Sequence, residues 1–211
     1  MYLKILNKKQ IDLLKKLKFL KKYGFYLAGG TALALQIGHR TSLDFDFYTE
    51  KKFTPRKLRE EFDKKFKTVQ EIYISEDTLV LNVNNIGVSF FRYPYPLIKL
   101  PQEIEGILLA SIEDIAAMKI LAISQRGRRR DFIDIYFLIR KFGLKQILEF
   151  VKKKYPMFNI YVGLQSLVYF IDADEDPEKG RYKLFKKIRW SEVKKFIVKE
   201  VSRFKELDLK K

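Results

Sequence analysis

Apolar and polar residues alternate in two different ways along this chain, and the change falls near its middle. The first half mixes helical periodicity with short runs of strand type, in the order α-β-α-β-α-β-β-β. Asn7 is the expected N-cap of the first helix, and Asn84-Asn85 is the expected turn between the last two strands. We predict helices over residues 8–22, 31–37 and 53–66, and strands over residues 25–28, 43–48, 69–75, 78–83 and 87–93.

The second half has helical periodicity almost throughout. Pro94 and Pro96 are expected to end the sheet region, because proline cannot donate to a strand ladder. The pattern therefore predicts an α+β half over residues 1–101 and a helical half over residues 102–211. The helices are expected over residues 112–125, 131–142, 144–155, 160–170 and 191–206.

Two acidic residues interrupt the predicted strand over residues 43–48. Because side chains alternate along a strand, Asp44 and Asp46 should share one face, while Leu43, Phe45 and Phe47 turn into the core. Two neighbouring carboxylates repel each other unless a cation lies between them. Oxygen ligands suit Mg²⁺ or Mn²⁺, with substrate phosphates completing the coordination, although a solvated acidic strand face remains the alternative.

A glycine pair lies between an earlier strand and helix. Gly29 and Gly30 allow a ligand to approach the backbone closely, and Thr31 begins the predicted helix. Free N–H groups and the positive dipole end at such a helix start suit phosphate. A Gly-Gly pair by itself is more often only a turn.

Composition narrows the classes of partner. The chain of 211 residues has a net charge of +17, which indicates an anionic partner such as nucleic acid, although solvated lysine faces explain the same number. The sequence has no cysteine, which excludes disulfides and thiolate metal sites. No segment approaches the roughly 18 apolar residues of a membrane span or resembles a signal peptide. We expect a soluble cytoplasmic protein that does not bind membranes.

One lysine lies on the apolar stripe of the predicted helix over residues 112–125. Lys119 must meet an anion there or extend its amine to solvent, since an inward charge is costly without a partner. Asp131 and Asp134 share a face of the next helix. Asp131 either takes part in a site or caps the start of its helix.

These segments together resemble a known family. LAGGTALALQIGHRTSLDFDFYT, residues 27–49, is similar to the hG[GS]…DhDh signature of polymerase-β-like nucleotidyltransferases and, more specifically, to the AbiEii/AbiGii toxins of type IV toxin–antitoxin systems. KILAISQR (119–126) and RRRDFIDI (128–135) resemble that family's KLxALxxR and RxKDxxDL motifs. The resemblance implies a mixed sheet with flanking helices, followed by a helical half.

The resemblance also implies an activity and its residues. It suggests transfer of a nucleoside monophosphate from a nucleoside triphosphate to an acceptor hydroxyl, with tRNA as the acceptor and a separate antitoxin as partner. Protein or small-molecule acceptors, and a silent RNA-binding module, remain alternatives. Asp44 and Asp46 would hold Mg²⁺ or Mn²⁺, and Lys119 and Asp131 would act in catalysis. Phosphate contacts would come from Gly29, Gly30, Thr31, Arg40 and Ser42.

Three further features bear on this assignment. Many such enzymes have a third carboxylate on a neighbouring strand, but the predicted strand over residues 87–93 has none. The acidic segment 172–176 lacks the glycine and ligand spacing of an EF-hand loop and is interpreted as solvated. His39, the single histidine, is assigned no chemistry. A basic run either binds RNA phosphates or is a solvated loop, and it comprises Arg126, Arg128, Arg129 and Arg130.

Overall fold

The computed structural model describes residues 1–208 and gives side chains as far as residue 206. The described chain forms two compact units, the first spanning Met1–Ser111 and the second beginning at Ile112. Among the described residues, no helix is both long enough and apolar enough to cross a membrane.

The first unit is a mixed sheet with helices, and its seven described strands have the order β3-β4-β5-β2-β1-β7-β6. Strand β2 runs antiparallel to β1 and parallel to β5, so these three form the middle of the sheet. The helices are α1 (Lys8–Lys16), α2 (Gly29–Ile37) and α3 (Pro55–Lys65). The strands are β1 (Tyr26–Ala28), β2 (Phe45–Thr49), β3 (Val69–Ser75), β4 (Thr78–Val83), β5 (Ile86–Arg92), β6 (Gln102–Ile104) and β7 (Ile107–Leu109).

Aromatic side chains from the central strands form the core of the first unit. Phe45, Phe47 and Phe90 have no exposed surface, as the alternation along β2 predicts. The rings of Phe47 and Phe90 stack across the β2–β5 pair with centroids 5.7 Å apart. Asn84 and Asn85 have φ values of 53° and 65°, so the predicted turn joins β4 and β5 as a tight hairpin.

Three expectations for the first unit were wrong. The sheet continues beyond Pro96, because β6 and β7 form a further hairpin and β7 pairs with β1. Both strands belong to the first compact unit, Met1–Ser111. Leu43 is 38% exposed instead of buried, since β2 begins only at Phe45 and alternation does not extend back to residue 43. After α1, residues Leu17–Tyr23 form a 3₁₀ helix rather than continuing the α-helix.

The second unit is helical. Its first helix has the predicted bounds, and a glycine at position 143 separates the second helix from the third. The predicted helix over residues 160–170 instead ends at Ser166, and a short helix follows it. The helices are α4 (Ile112–Gln125), α5 (Arg129–Phe142), α6 (Leu144–Lys154), α7 (Ile160–Ser166), α8 (Ile171–Asp174) and α9 (Trp190–Asp208).

Candidate active site

The backbone of Asp46 is fixed by strands on both sides. In the sheet register, Asp46 lies opposite Ala28 of β1 and Ser89 of β5. Its side chain is half-buried, whereas its chain neighbours Phe45 and Phe47 are fully buried. The residue next to Asp46 on β5 is therefore Ser89, which carries a hydroxyl and not the third carboxylate mentioned above.

Asp44 lies one residue before β2 and is also half-buried. Asp46 pairs with Ser89, and the Asp44 carboxylate lies against Gly87, two residues earlier on β5, so the two carboxylates lie on the same side of the sheet. A Cβ atom on Gly87 of β5 would lie 2.7 Å from Asp44 Oδ1. The missing side chain at position 87 thus leaves the room that the Asp44 carboxylate occupies.

The predicted glycine turn begins α2 beside the acidic strand. Gly29 has φ +66°, a left-handed conformation that favours glycine, and a Cβ there would lie 3.1 Å from Asp46 Oδ2. A Cβ on Gly30 would collide with the guanidinium of Arg40, which is only 2% exposed. Both glycines therefore allow charged side chains to pack directly against the start of α2.

Buried polar side chains hold the segment that leads into β2. The Thr31 hydroxyl donates to the Asp44 carbonyl and lies 2.6 Å from Ser42 Oγ. Gln10 Nε2 donates to the carbonyls of Ser42 and Leu43 at 2.8 Å each. The Thr31 and Ser42 side chains thus fix the acidic segment. Gln10 was missed by the sequence reasoning, because its only local signal is a capping pattern with Asn7.

The carboxylate pair fits a Mg²⁺ or Mn²⁺ ion whose coordination is completed by substrate phosphates. Magnesium is commonly bound through one or two carboxylates plus phosphate and water oxygens. Asp44 and Asp46 supply such a pair, and the absence of a Cβ at Gly87 and Gly29 makes room for the two carboxylates. Among the described residues, no three acidic or histidine side chains cluster as an all-protein metal cage would require.

In the second unit, Lys119 lies between two aspartates. Its Nζ atom is 2.5 Å from Asp131 Oδ1 and 2.7 Å from Asp134 Oδ2. Lys119 is 6% exposed and the two acids 1% and 0%, so the lysine does not extend to solvent. The inward lysine therefore meets carboxylates, as a buried cation requires.

Asp131 does not cap its helix. Helix α5 begins at Arg129, two residues earlier, and has no side-chain cap, so the capping alternative was wrong. With Asp131 Oδ1 on Lys119, the buried Oδ2 has no hydrogen-bond partner among the described residues. The nearest cation to this oxygen is Arg126, whose Nε lies 4.0 Å away.

The basic run before and within α5 is largely bound by an acidic segment of the same unit. Arg128 Nη1 lies 3.2 Å from Asp176 Oδ1, and Arg130 Nη1 lies 2.6 Å from Glu178 Oε2. The guanidinium of Arg129 stacks on Trp190, 4.7 Å from the ring centroid. Only Arg126 of the four is mostly exposed: 61% of its side chain is accessible, against 37% for Arg128 and 30% for Arg130, while the side chain of Arg129 lies on Trp190.

Asp176 corrects the interpretation of segment 172–176 as solvated, because it is only 2% exposed. Burial raises the pKa of Asp176, but N–H donors from the backbone of Glu178 and Arg129 and from the Arg128 guanidinium outweigh it, so the net pKa is lowered. This carboxylate therefore anchors the start of α5, where Asp131 lies.

Two more buried groups have no counterpart in the sequence reasoning. Asp114 and Lys154 form an ion pair of 2.8 Å between α4 and α6, with neither side chain exposed. Helical periodicity marks both positions as inward, but nothing local identifies the partner 40 residues away. His39 is 1% exposed.

Comparison with known proteins gives a family and a curated relative. Residues 12–207 match the family model described as "Nucleotidyl transferase AbiEii toxin, Type IV TA system". An uncharacterized protein of Aquifex aeolicus (strain VF5) is 43% identical over 190 residues, which cover 86% of this chain and 88% of that protein. The family match over residues 12–207 spans the positions of every predicted site residue.

Solved structures give the same fold at low sequence identity. MenT4, a nucleotidyltransferase toxin from Mycobacterium tuberculosis H37Rv, has a TM-score of 0.58 at 13% identity, covering 91% of this chain and 82% of that chain. ANT(2")-Ia, solved with adenylyl-2"-tobramycin, has a TM-score of 0.52 at 13% identity, covering 72% of this chain and 100% of that chain. The predicted α+β fold of polymerase-β-like nucleotidyltransferases is confirmed.

Proposed function

Because this chain belongs to the AbiEii family of type IV nucleotidyl transferase toxins, and is thus a nucleotidyltransferase, we propose that its acceptor is RNA and that its reaction depends on a divalent metal. The acceptor hydroxyl belongs to tRNA in this proposal. The dependence on a divalent metal is supported by the half-buried pair Asp44 and Asp46, which lies beside the glycine turn at the start of α2.

The reaction is a substitution at the α-phosphorus of a nucleoside triphosphate. The acceptor oxygen forms a bond to the α-phosphorus, the bond from that phosphorus to the oxygen bridging to the β-phosphate breaks, and pyrophosphate leaves. The likeness of residues 128–135 to the family motif assigns the general base to Asp131, which would take the proton of the acceptor hydroxyl. Lys119, the second catalytic residue of this proposal, holds Oδ1 of Asp131.

Asp44 and Asp46 would hold Mg²⁺ or Mn²⁺, which would supply positive charge to the phosphates. The protein's own contribution is to fix both carboxylates and to bring backbone N–H groups at the start of α2 toward the phosphates. Gly29 and Gly30 serve this role in the proposal, because they are the first two residues of α2.

The charge of the chain supports an RNA acceptor. A net charge of +17 favours binding to a polyanion through release of counterions. Arg126 is the most exposed member of the basic run, whereas Arg128 and Arg130 are paired with acids. We therefore assign RNA phosphate contact to Arg126 first. A cognate antitoxin protein is the expected partner of a toxin of this family.

The test is incorporation of label from each of four α-³²P nucleoside triphosphates into total tRNA, with and without Mg²⁺ and Mn²⁺. Parallel reactions offer a protein mixture and an aminoglycoside as acceptors. Label in tRNA that disappears with EDTA is the expected result. Asp44→Asn should abolish it, whereas Asp12→Asn, the same change at an exposed acid of the same unit, should not. Label in protein or aminoglycoside and none in tRNA would overturn the RNA assignment.

A further inference from the structure

Three consecutive backbone carbonyls immediately before and at Asp44 are held by side chains. Gln10 Nε2 donates to Ser42 O and Leu43 O, and the Thr31 hydroxyl donates to Asp44 O. Gln10 is 2% exposed and Thr31 is 1% exposed, so both sets of hydrogen bonds are shielded from water. Shielded hydrogen bonds from single side chains are costly to lose, since the carbonyls then lack donors.

The two site carboxylates differ in what fixes their backbone. Asp46 lies within the ladder, opposite Ala28 on one side and Ser89 on the other. Asp44 precedes Phe45, the first paired residue of β2. The location of its backbone therefore depends on the hydrogen bonds from Gln10 and Thr31. The same segment contains the exposed Leu43, so packing of its side chain does not fix it either.

The amide of Gln10 is itself locked in one orientation. Its Oε1 accepts from Asn7 N at 2.9 Å, which leaves both N–H bonds of Nε2 directed at the two carbonyls. The Asn7 side chain in turn accepts from Gln10 N, completing a capping box at the start of α1. The first turn of α1 thus holds a donor pair at a fixed place, 32 and 33 residues away in sequence from its acceptors.

We propose that Gln10 is a positioning residue of the active site, which places the Asp44 carboxylate for metal binding by holding the carbonyls of residues 42 and 43. Thr31 completes this support at the Asp44 carbonyl. The inference rests on the proposed role of Asp44 as a metal ligand. Groups that orient metal ligands typically contribute 10- to 100-fold to metal affinity, and we expect the same range for Gln10.

Gln10→Glu separates positioning from capping. A glutamate at this place still accepts from Asn7 N, but it turns an oxygen toward the two carbonyls where the amide had two N–H donors. Asn7→Ala is the matched control, because it removes the cap and leaves the Gln10 amide in place. Thr31→Val is a second variant of nearly unchanged size that removes the hydroxyl bound to the Asp44 carbonyl and to Ser42 Oγ.

The measurement is binding of Mn²⁺ to the full chain, followed by the EPR signal of the free ion, with circular dichroism confirming the fold of each variant. Gln10→Glu should weaken Mn²⁺ binding at least about tenfold, as should Thr31→Val, while Asn7→Ala stays within about twofold of wild type. Asp44→Ala marks complete loss. Should Gln10→Glu not fold, Thr31→Val carries the test by itself.

Unchanged Mn²⁺ affinity in the folded Gln10→Glu or Thr31→Val protein would overturn the inference, as would an equal loss in Asn7→Ala or no Mn²⁺ binding by wild type. Transfer to tRNA, measured on the same preparations, reports separately on the proposed function. Wild type that binds Mn²⁺ and labels no RNA would refute the RNA acceptor and leave the role of Gln10 standing on the binding data.

Discussion

The acidic residues assigned to the site differ between the two units in their burial and in their counter-charges. In the first unit, Asp44 and Asp46 are half-buried and retain contact with solvent. In the second, Asp131 and Asp134 are buried, and Lys119 lies within 2.7 Å of both. A carboxylate that contacts water can replace that water by a metal ion at low cost in free energy. A buried carboxylate instead needs a counter-charge inside the fold.

This difference separates binding from stability. Removing a half-buried acid takes away a ligand and leaves the core intact, so only activity should suffer. Removing one member of a buried ion pair leaves an uncompensated charge, so activity and folding should fall together. The following experiments compare the effect of each substitution on transfer with its effect on stability.

The largest effect is expected at the half-buried pair. Asp44→Ala and Asp46→Ala should each lower transfer by at least about a thousandfold, because metal-held phosphates owe several kcal/mol of transition-state stabilisation to these acids. Thermal unfolding should change little, since neither truncation opens a core cavity. Near-wild-type transfer in either variant would remove it from the site, and failure to fold would make the pair structural.

The next effect is expected at Lys119. Lys119→Met leaves two buried carboxylates without their cation and should destabilise the protein by about 3–5 kcal/mol, with loss of transfer. Urea unfolding and nucleotide transfer would be measured on the same preparations. A variant as stable as wild type would show that Asp131 and Asp134 find other partners or take up protons at little cost.

Lys154→Met is the matched control, because it breaks the fully buried pair with Asp114, and neither residue is assigned to the reaction. It should destabilise to a similar degree and keep its transfer activity at temperatures where it remains folded. Equal loss of transfer in both variants would mean that Lys119 acts through stability, and its assignment to catalysis would fall.

A smaller effect is expected at Asp176, a buried acid with several donors. Its pKa is lowered in the fold, so its stabilising contribution is present above the unfolded value of about 3.9 and is lost as the pH falls through the folded pKa. Asp176→Asn should cost about 1.5–3 kcal/mol at pH 7 and progressively less in acid. Melting curves between about pH 2 and pH 7 test this, with the exposed Asp172→Asn as control; a penalty independent of pH would exclude the carboxylate charge as its cause.

The smallest effect is expected at Gly87. Gly87→Ala would place a Cβ 2.7 Å from Asp44 Oδ1, so the carboxylate must move, and transfer should drop about tenfold with little change in stability. Gly180→Ala serves as control, since a Cβ there has no atom within 4 Å. Steady-state kinetics would locate the loss in kcat. Unchanged kcat would show that the site tolerates displacement of Asp44.

Local patterns predicted those features of this protein that depend on near neighbours. Alternation along β2 identified Phe45 and Phe47 as buried, and helical spacing gave α4 its bounds and turned Lys119 inward. The Asn84-Asn85 turn was predictable because left-handed backbone favours few residue types. Family motifs added the assignment of Asp44 and Asp46, which spacing by itself left open between a metal site and a solvated face.

Tertiary structure alone decided which groups meet. The partners of Lys119 lie 12 and 15 residues away, and the carbonyls bound by Gln10 lie 32 and 33 residues away. The strands β6 and β7 are three residues each, too short for alternation to show, and they form by pairing with each other and with β1. Periodicity records which way a side chain turns from its own element, whereas its partner is set by packing of distant segments. The sequence therefore determined the elements and the chemical groups, and only the fold determined their hydrogen bonds and ion pairs.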